Sequence, residues 1–232
     1  MKLFLLPLLL LLQIHLAAQP VSRIKRSDLK KDVLMRTDSG NMVLRLHDST
    51  PLHRDNFIRL VKSHYYEGIG FHRIIAGFMI QAGDERTKPT ADTNKLMKSY
   101  TLPAEFVSTY FHKKGVLAAA RMGDNVNPQK ESSGVQFYIV QGRVHTDQSL
   151  DSVETYRLNG RKIPAPHREV YKMLGGSPHL DQNYTIFGEM VRGFDILDKI
   201  AETKTTGKQG GDKPLSTIRI NEVKLIRRRE KG

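Results

Sequence analysis

The sequence predicts a single mainly-β domain, a closed barrel capped by two helices. Three observations carry this. The apolar segments are short and are separated by turn residues. Two stretches show the most complete helical pattern. Those two lie too far apart, and too unevenly, for a repeated strand–helix–strand unit. With 232 residues, 39% apolar and 26% charged, the chain can bury a real core. The absence of cysteine excludes disulfides, thiolate nucleophiles and Cys-ligated metals.

The first residues, MKLFLLPLLLLLQIHLAAQP, have one Lys, an apolar run over 3–12, then Ala17 and Ala18. That is the layout of a secretory signal peptide, with Leu16 an imperfect residue in the small-residue site. The run is about half of the roughly 20 residues a spanning helix needs. Residues 1–19 are therefore read as a signal peptide, and the product as exported, either periplasmic or secreted. Residues 20–31 are polar and basic without periodicity, and read as a linker. Residues 32–232 form the domain.

Within it, DVLMRTDSGNMVLRLH reads as a hairpin turning at 38–41. A helix follows, with Thr50 as N-cap, Pro51 at its first position, Leu52, Phe57, Leu60 and Val61 on one face, and Gly68 as its stop. GIGFHRIIAGFMIQAGD holds two strands around Ala76 and Gly77, and residues 85–104 a polar loop. KKGVLAAAR and VQFYIVQ are strands flanking a loop rich in Gly, Asn, Pro and Ser. Residues 143–176 show helical pattern in parts, at Leu150, Val153 and Leu158, then at Val170, Tyr171 and Leu174. YTIFGEMV is a strand. GFDILDKIAET is a helix with Phe194, Leu197, Ile200 and Ala201 on one face, and STIRINEVKLI a closing strand.

An Arg and an amide inside the apolar stretch GIGFHRIIAGFMIQAGD require explanation, because a buried guanidinium without partners is costly. Period-two alternation puts Met79 and Gln81 on one strand face, opposite Ile80 and Ala82. It likewise puts Gln136 and Tyr138 opposite Phe137 and Ile139. Two strands thus each present a mixed face and a plain core face. Around FHRII, alternation does not separate inside from outside. His72 reads as structural, hydrogen-bonded within the strand pair. Alone, Phe78 and Met79 would read as core residues and Arg73 as a structural ion-pair member.

FHRIIAGFMIQAGD, GVLAAARMGD with SSGVQFYIVQG, and HLDQNYTIFGEMVRGFDILDKI together resemble, in order, the signature blocks of the cyclophilins, a family of peptidyl-prolyl cis-trans isomerases. The resemblance spans residues 32–226. It implies an eight-stranded antiparallel barrel with a helix closing each end and a proline-binding groove on the outer wall. It places Arg73 on the groove side and assigns Arg73 and Gln81 to catalysis. Phe78, Met79, Tyr138 and Leu180 would form the proline slot. Ala120 and Gln136 would line the groove and bond the peptide backbone, and Tyr184 would stand beside the carbonyl end. His179 would take a groove position where many cyclophilins have Trp.

The chemistry fits such residues. Rotation about an X–Pro bond must break amide resonance, a barrier of about 18–20 kcal/mol. In the twisted amide the proline nitrogen regains a lone pair. A donor aimed there meets the transition state and not the planar ground state. A guanidinium has five donors and stays charged at working pH. Gln81 can hold that guanidinium or take the peptide backbone. No nucleophile, metal, cofactor or general base is needed. The nine His residues show no HxxxH or HExxH spacing, so no metal site is expected.

This chain departs from the family pattern at His179, at Tyr138 (usually Phe) and at Arg121 (commonly Asn). Residues 143–176 form an insertion longer than the usual connection. It is read either as a substrate-selecting wall or as an embellishment. Asn183-Tyr184-Thr185 is formally a glycosylation sequon, but its place in the groove argues against use. The net charge of +13 favours acidic partners in general, and the terminal LIRRREKG reads as a solvated tail or a weak contact with an anionic envelope surface. The resulting expectation is a monomeric isomerase of exported or envelope proteins, acting on proline-containing polypeptides and not on nucleic acid. The second reading is a chaperone or binding module of the same fold with little catalytic role.

Overall fold

A computed structural model describes residues 23–94, 96–97 and 99–228. The signal-peptide reading of 1–19 lies outside the described residues, as do the last four residues of the basic tail. The strands are β1 (Lys31–Thr37), β2 (Gly40–Leu46), β3 (Arg73–Ile75), β4 (Met79–Ala82), β5 (Thr101–Leu102), β6 (Val116–Ala119), β7 (Ser132–Ser133), β8 (Phe137–Val140), β9 (Ile186–Arg192) and β10 (Ile220–Arg227). The helices are α1 (Pro51–Lys62), α2 (Asp147–Tyr156), α3 (Ala165–Met173) and α4 (Phe194–Ala201). Eight strands form one antiparallel sheet in the order β10-β1-β2-β9-β6-β8-β4-β3, and β5 pairs with β7.

The expected closed barrel is corrected to a half-barrel. No ladder joins the edge strands β3 and β10. An isolated bridge, Gly70 with Arg219, crosses the gap, and Phe71 N donates to Ile218 O at 3.0 Å beside it. β3 is three residues long, so the wall runs out of extended backbone before the sheet can zip shut.

There are four helices, two on the sheet and two in the insertion. α1 and α4 pack on the sheet, as expected, and α2 and α3 lie in the insertion. α1 lays Phe57 on the inner face, its ring 5.6 Å from Phe137 and 5.3 Å from Phe187. Leu52, expected on that face, is exposed, and His53 and Ile58 are buried instead. Thr50 precedes the helix, but its Oγ1 is buried and makes no hydrogen bond. The helix donors are satisfied from the chain beyond β4: Glu105 accepts from Leu52 N at 3.1 Å and from His53 N at 3.0 Å. A carboxylate there is favoured by the helix dipole. α1 ends at Lys62, before Gly68, which sits in a following turn. On α4, Leu197, Ile200 and Ala201 are buried while Phe194 is partly exposed.

The linker reading of 20–31 fails at its C-terminal part. Asp28 is buried and pairs with Lys31 at 3.1 Å and Lys62 at 2.8 Å, so residues 28–30 form a 3-10 turn docked on α1. Lys31 opens β1. The hairpin forms as expected, its turn at Asp38 and Ser39. A side chain at Gly40 would strike Ile196 of α4, which explains a glycine at that turn.

The insertion is helical as expected and has its own core of Leu150, Leu158, Ile163 and Tyr171, with Phe111 packed against it. Leu174, expected inward, is exposed. The segment leaves and returns at one point. Arg143 bridges Gly176, and Gly176 also bridges Lys113. A Cβ on Gly142 would meet the backbone of Gly176, and one on Gly176 would meet His112 O and the Tyr171 ring.

Candidate active site

The sheet sorts its residues into two apolar layers. Across β3, β4, β8 and β6 the register aligns Ile74, Ile80, Ile139 and Leu117 in one row. All four belong to the inner core beneath α1. The neighbouring row is Arg73, Gln81, Tyr138 and Ala118, and on its other flank Ile75, Met79 and Val140 align. These residues face outward. Met79, Ala118, Ala120, Tyr138, Val140, Leu180 and Ile186 form a second apolar cluster there, with Phe78 and Tyr184 packed on it. The registers resolve what alternation around FHRII leaves open: Ile74 points into the core, and Arg73 does not.

A cavity of about 230 Å³ opens on this outer layer, lined by Arg73, Phe78, Met79, Gln81, Ala120, Arg121, Tyr138, Leu180 and Tyr184. Gln136 stands beside it, accepting from Gln81 Nε2 at 3.1 Å. His179 stands on the far side of Phe78, with ring centroids 5.4 Å apart, and faces a different cavity. All the residues assigned from sequence are thus on one wall, but Gln136 and His179 flank the slot and do not line it.

Arg73 has a half-exposed side chain. Its ion pair is with Asp212, at 3.8 Å, too long to hold the fork firmly. Of the two roles open to Gln81, holding Arg73 is not seen among the described residues; its Nε2 donates to Gln136 Oε1 instead. Asp212 lies in a loop far along the chain, and nothing in the local sequence marks it. His72 is corrected in part. Its backbone N donates to Gln81 O at 3.0 Å, but its buried ring Nδ1 has no partner among the described residues, and burial lowers its pKa.

Arg121 is a lining residue that the sequence reading noted only as a departure from the pattern. Its guanidinium is committed to the wall. Nε donates to Asn183 O at 2.7 Å, Nη1 pairs with Asp124 at 2.6 Å, and the plane lies 4.6 Å over Tyr184. Its place directly after Ala120 was the available signal. Asn183 also accepts from Lys130 Nζ at 2.6 Å, which places the sequon asparagine inside this network.

The floor holds a buried polar chain. Tyr138 is 4% exposed, and its hydroxyl lies 3.0 Å from His112 Nε2. His112 Nδ1 lies 2.9 Å from Asp181 Oδ1, and Tyr171 of α3 donates to Asp181 Oδ2 at 2.8 Å. A carboxylate only accepts, so His112 Nδ1 carries a hydrogen toward Asp181. Burial raises the pKa of both tyrosines, so their hydroxyls stay protonated and serve as donors. The hydroxyl that sets Tyr138 apart from the family's Phe thus ties the floor to the insertion. His112, Asp181 and Tyr171 went unassigned in the sequence, because they are far apart along the chain.

A family model described as cyclophilin type peptidyl-prolyl cis-trans isomerase matches residues 32–225. The chain is 36% identical over 197 residues to a protein of Staphylococcus saprophyticus named a peptidyl-prolyl cis-trans isomerase, covering 84% of this chain and 91% of that one. A Staphylococcus epidermidis protein of the same name is 35% identical over 194 residues, covering 82% and 89%. Among solved structures, a cyclophilin type peptidyl-prolyl cis-trans isomerase of Cryptosporidium parvum superposes with TM-score 0.61 at 22% identity, covering 84% of this chain and 97% of that one. The same protein solved in the presence of the dipeptide Ala-Pro gives 0.60, also at 22% identity.

Replacing Tyr138 by Phe removes the partner of a buried ring nitrogen, and a loss of about 1–3 kcal/mol in unfolding free energy is expected by urea titration. An unchanged midpoint would mean that the His112 chain does not support the floor.

Proposed function

The chain belongs to the cyclophilin-type peptidyl-prolyl cis-trans isomerases, and from that premise we propose how and where it works. The substrate is a proline-containing polypeptide. The proline ring enters the slot of Phe78, Met79, Tyr138 and Leu180, and the preceding backbone runs past Ala120 and Gln136. As the amide twists, Arg73 donates to the proline nitrogen. The observation that supports this most directly is Arg73 itself: 42% exposed on the cavity wall, with its one ion pair at 3.8 Å. Such a fork is free to turn toward a ligand. Gln81 lines the same space, its Nε2 donating to Gln136 Oε1 at 3.1 Å.

We place the substrates among exported proteins, on the layout of residues 1–19. The mature protein recovered outside the cytoplasm should begin near Gln19. Retention inside the cell with Met1 intact would remove the exported role.

Catalysis is tested by NMR exchange on an Ala-Pro peptide. A charge-assisted hydrogen bond made only in the transition state contributes roughly 1.5–3 kcal/mol. Arg73→Ala should therefore lower kcat/KM by about ten- to a hundredfold. Full activity in that variant would sink the mechanism.

The rate should also be flat from about pH 6 to 9. Burial lowers the pKa of His72, and burial, then the charge of Arg157, pushes His179 down to about 4. The His179 ring is then neutral across that range. A bell-shaped profile would point to acid–base chemistry instead.

A further inference from the structure

A second cavity, of about 620 Å³, lies directly beyond Phe78 and His179, between the β3–β4 turn and α2 of the insertion. Its volume is in the range of ligand sites. The tilted pair Phe78 and His179, 5.4 Å apart, is the partition between it and the proline slot, so one extended peptide can pass from one to the other.

Its charge is one-sided. Arg143 and Arg157 line it, both exposed and neither in an ion pair among the described residues, and no carboxylate is present in its wall. The reason lies in α2. Asp147, Asp151 and Glu154 recur at helical spacing on one face, and all three turn away from the cavity. Arg168 of α3 collects them, at 3.0, 2.9 and 2.8 Å, and Lys172 and Lys162 add further bonds. The opposite face, with Ser149, Ser152, Val153 and Tyr156, looks into the cavity. The helix is thus neutral where it meets the cavity, and the guanidiniums at its two ends are left without counter-charge. Their charge bears on the rings inside: after burial, Arg157 lowers the pKa of His179, and on His145 Arg143 adds to burial against the opposing bond to Gly176 O.

We propose that this cavity is a subsite for acidic side chains of the polypeptide segment flanking the proline, with Arg143 and Arg157 selecting them. Ser149 and Ser152 stand on the same wall with their hydroxyls donating to Thr146 O and Gln148 O, so the two guanidiniums are the donors, and Tyr156 and Val153 cover the stem of a Glu. The insertion is in this view a specificity wall. The proposal rests on the reading of the neighbouring slot as proline-binding.

The test uses the full-length mature chain and Ala-Pro peptides carrying Glu, Gln or Lys at positions three before to three after proline. Binding is followed by fluorescence anisotropy and turnover by NMR exchange, at low and high salt, in the wild type and in R143A/R157A. Glu on one side of the proline should bind about three- to tenfold tighter than Gln, and Lys more weakly than either. The gap should narrow with salt and vanish in the double variant. The neutral peptide should turn over equally in both proteins. Equal binding of Glu, Gln and Lys peptides at every position overturns the proposal. So does a Glu preference that survives in R143A/R157A. Failure of the wild type to turn over the neutral peptide counts against the isomerase reading alone, since the binding comparison is scored independently of it.

Discussion

Strands β4 and β8 must bury both of their faces, and the architecture follows from that demand. Met79, Ile80, Ala82, Phe137, Tyr138, Ile139 and Val140 are all nearly inaccessible to solvent. Ile80, Ala82, Phe137 and Ile139 fill the core beneath α1, and Met79, Tyr138 and Val140 support the outer groove. Strand period is two, so a slip of one residue would send Gln81 into the core and Ile80 to the groove. The register is therefore fixed twice, by the aromatic packing of Phe57, Phe137 and Phe187 inside and by the Tyr138–Tyr184 contact outside. A wall held from both sides is a rigid support for a half-exposed Arg73.

Much of this was legible in the sequence. Every main-sheet strand was found, because alternation and turn residues are local signals. The two faces of β4 and β8 followed from counting. What escaped depends on contacts between distant segments. Glu105 caps α1 across some fifty residues, and Asp212 approaches Arg73 from a loop. Asp181 joins His112 to Tyr171. No periodicity encodes such pairs. Barrel closure was expected from the run of short strands as well as from the family resemblance, and the missing ladder reflects how short β3 is. The groove residues were identified through the resemblance; their physical reading alone left Phe78, Met79 and Arg73 open between core and function.

The charge distribution shows why net charge is a poor guide to a binding site. The chain carries +13, yet many of its basic groups are matched locally. Arg45 grips Asp32 with two bonds, Arg121 is locked to Asp124 and Asn183, and Arg168 collects three carboxylates. Glu154 illustrates the balance. Burial pushes its carboxyl up, but the bonds from Lys162, the Ile163 amide and Arg168 outweigh burial and the net shift is downward. Cations left unmatched beside a groove carry more information than the sum.

The junction at Gly142 and Gly176 has a consequence for how such a molecule can change. The two glycines touch, and the chain between them folds around its own small core. Joining two ends that already meet costs little entropy whatever the length between them. The insertion can therefore vary between the same glycines, but only where it still brings a donor to Asp181, because Tyr171 holds His112 and, through it, Tyr138 of β8. Recombination at this point retunes recognition while the neighbouring wall is inherited intact, provided that one contact travels with it.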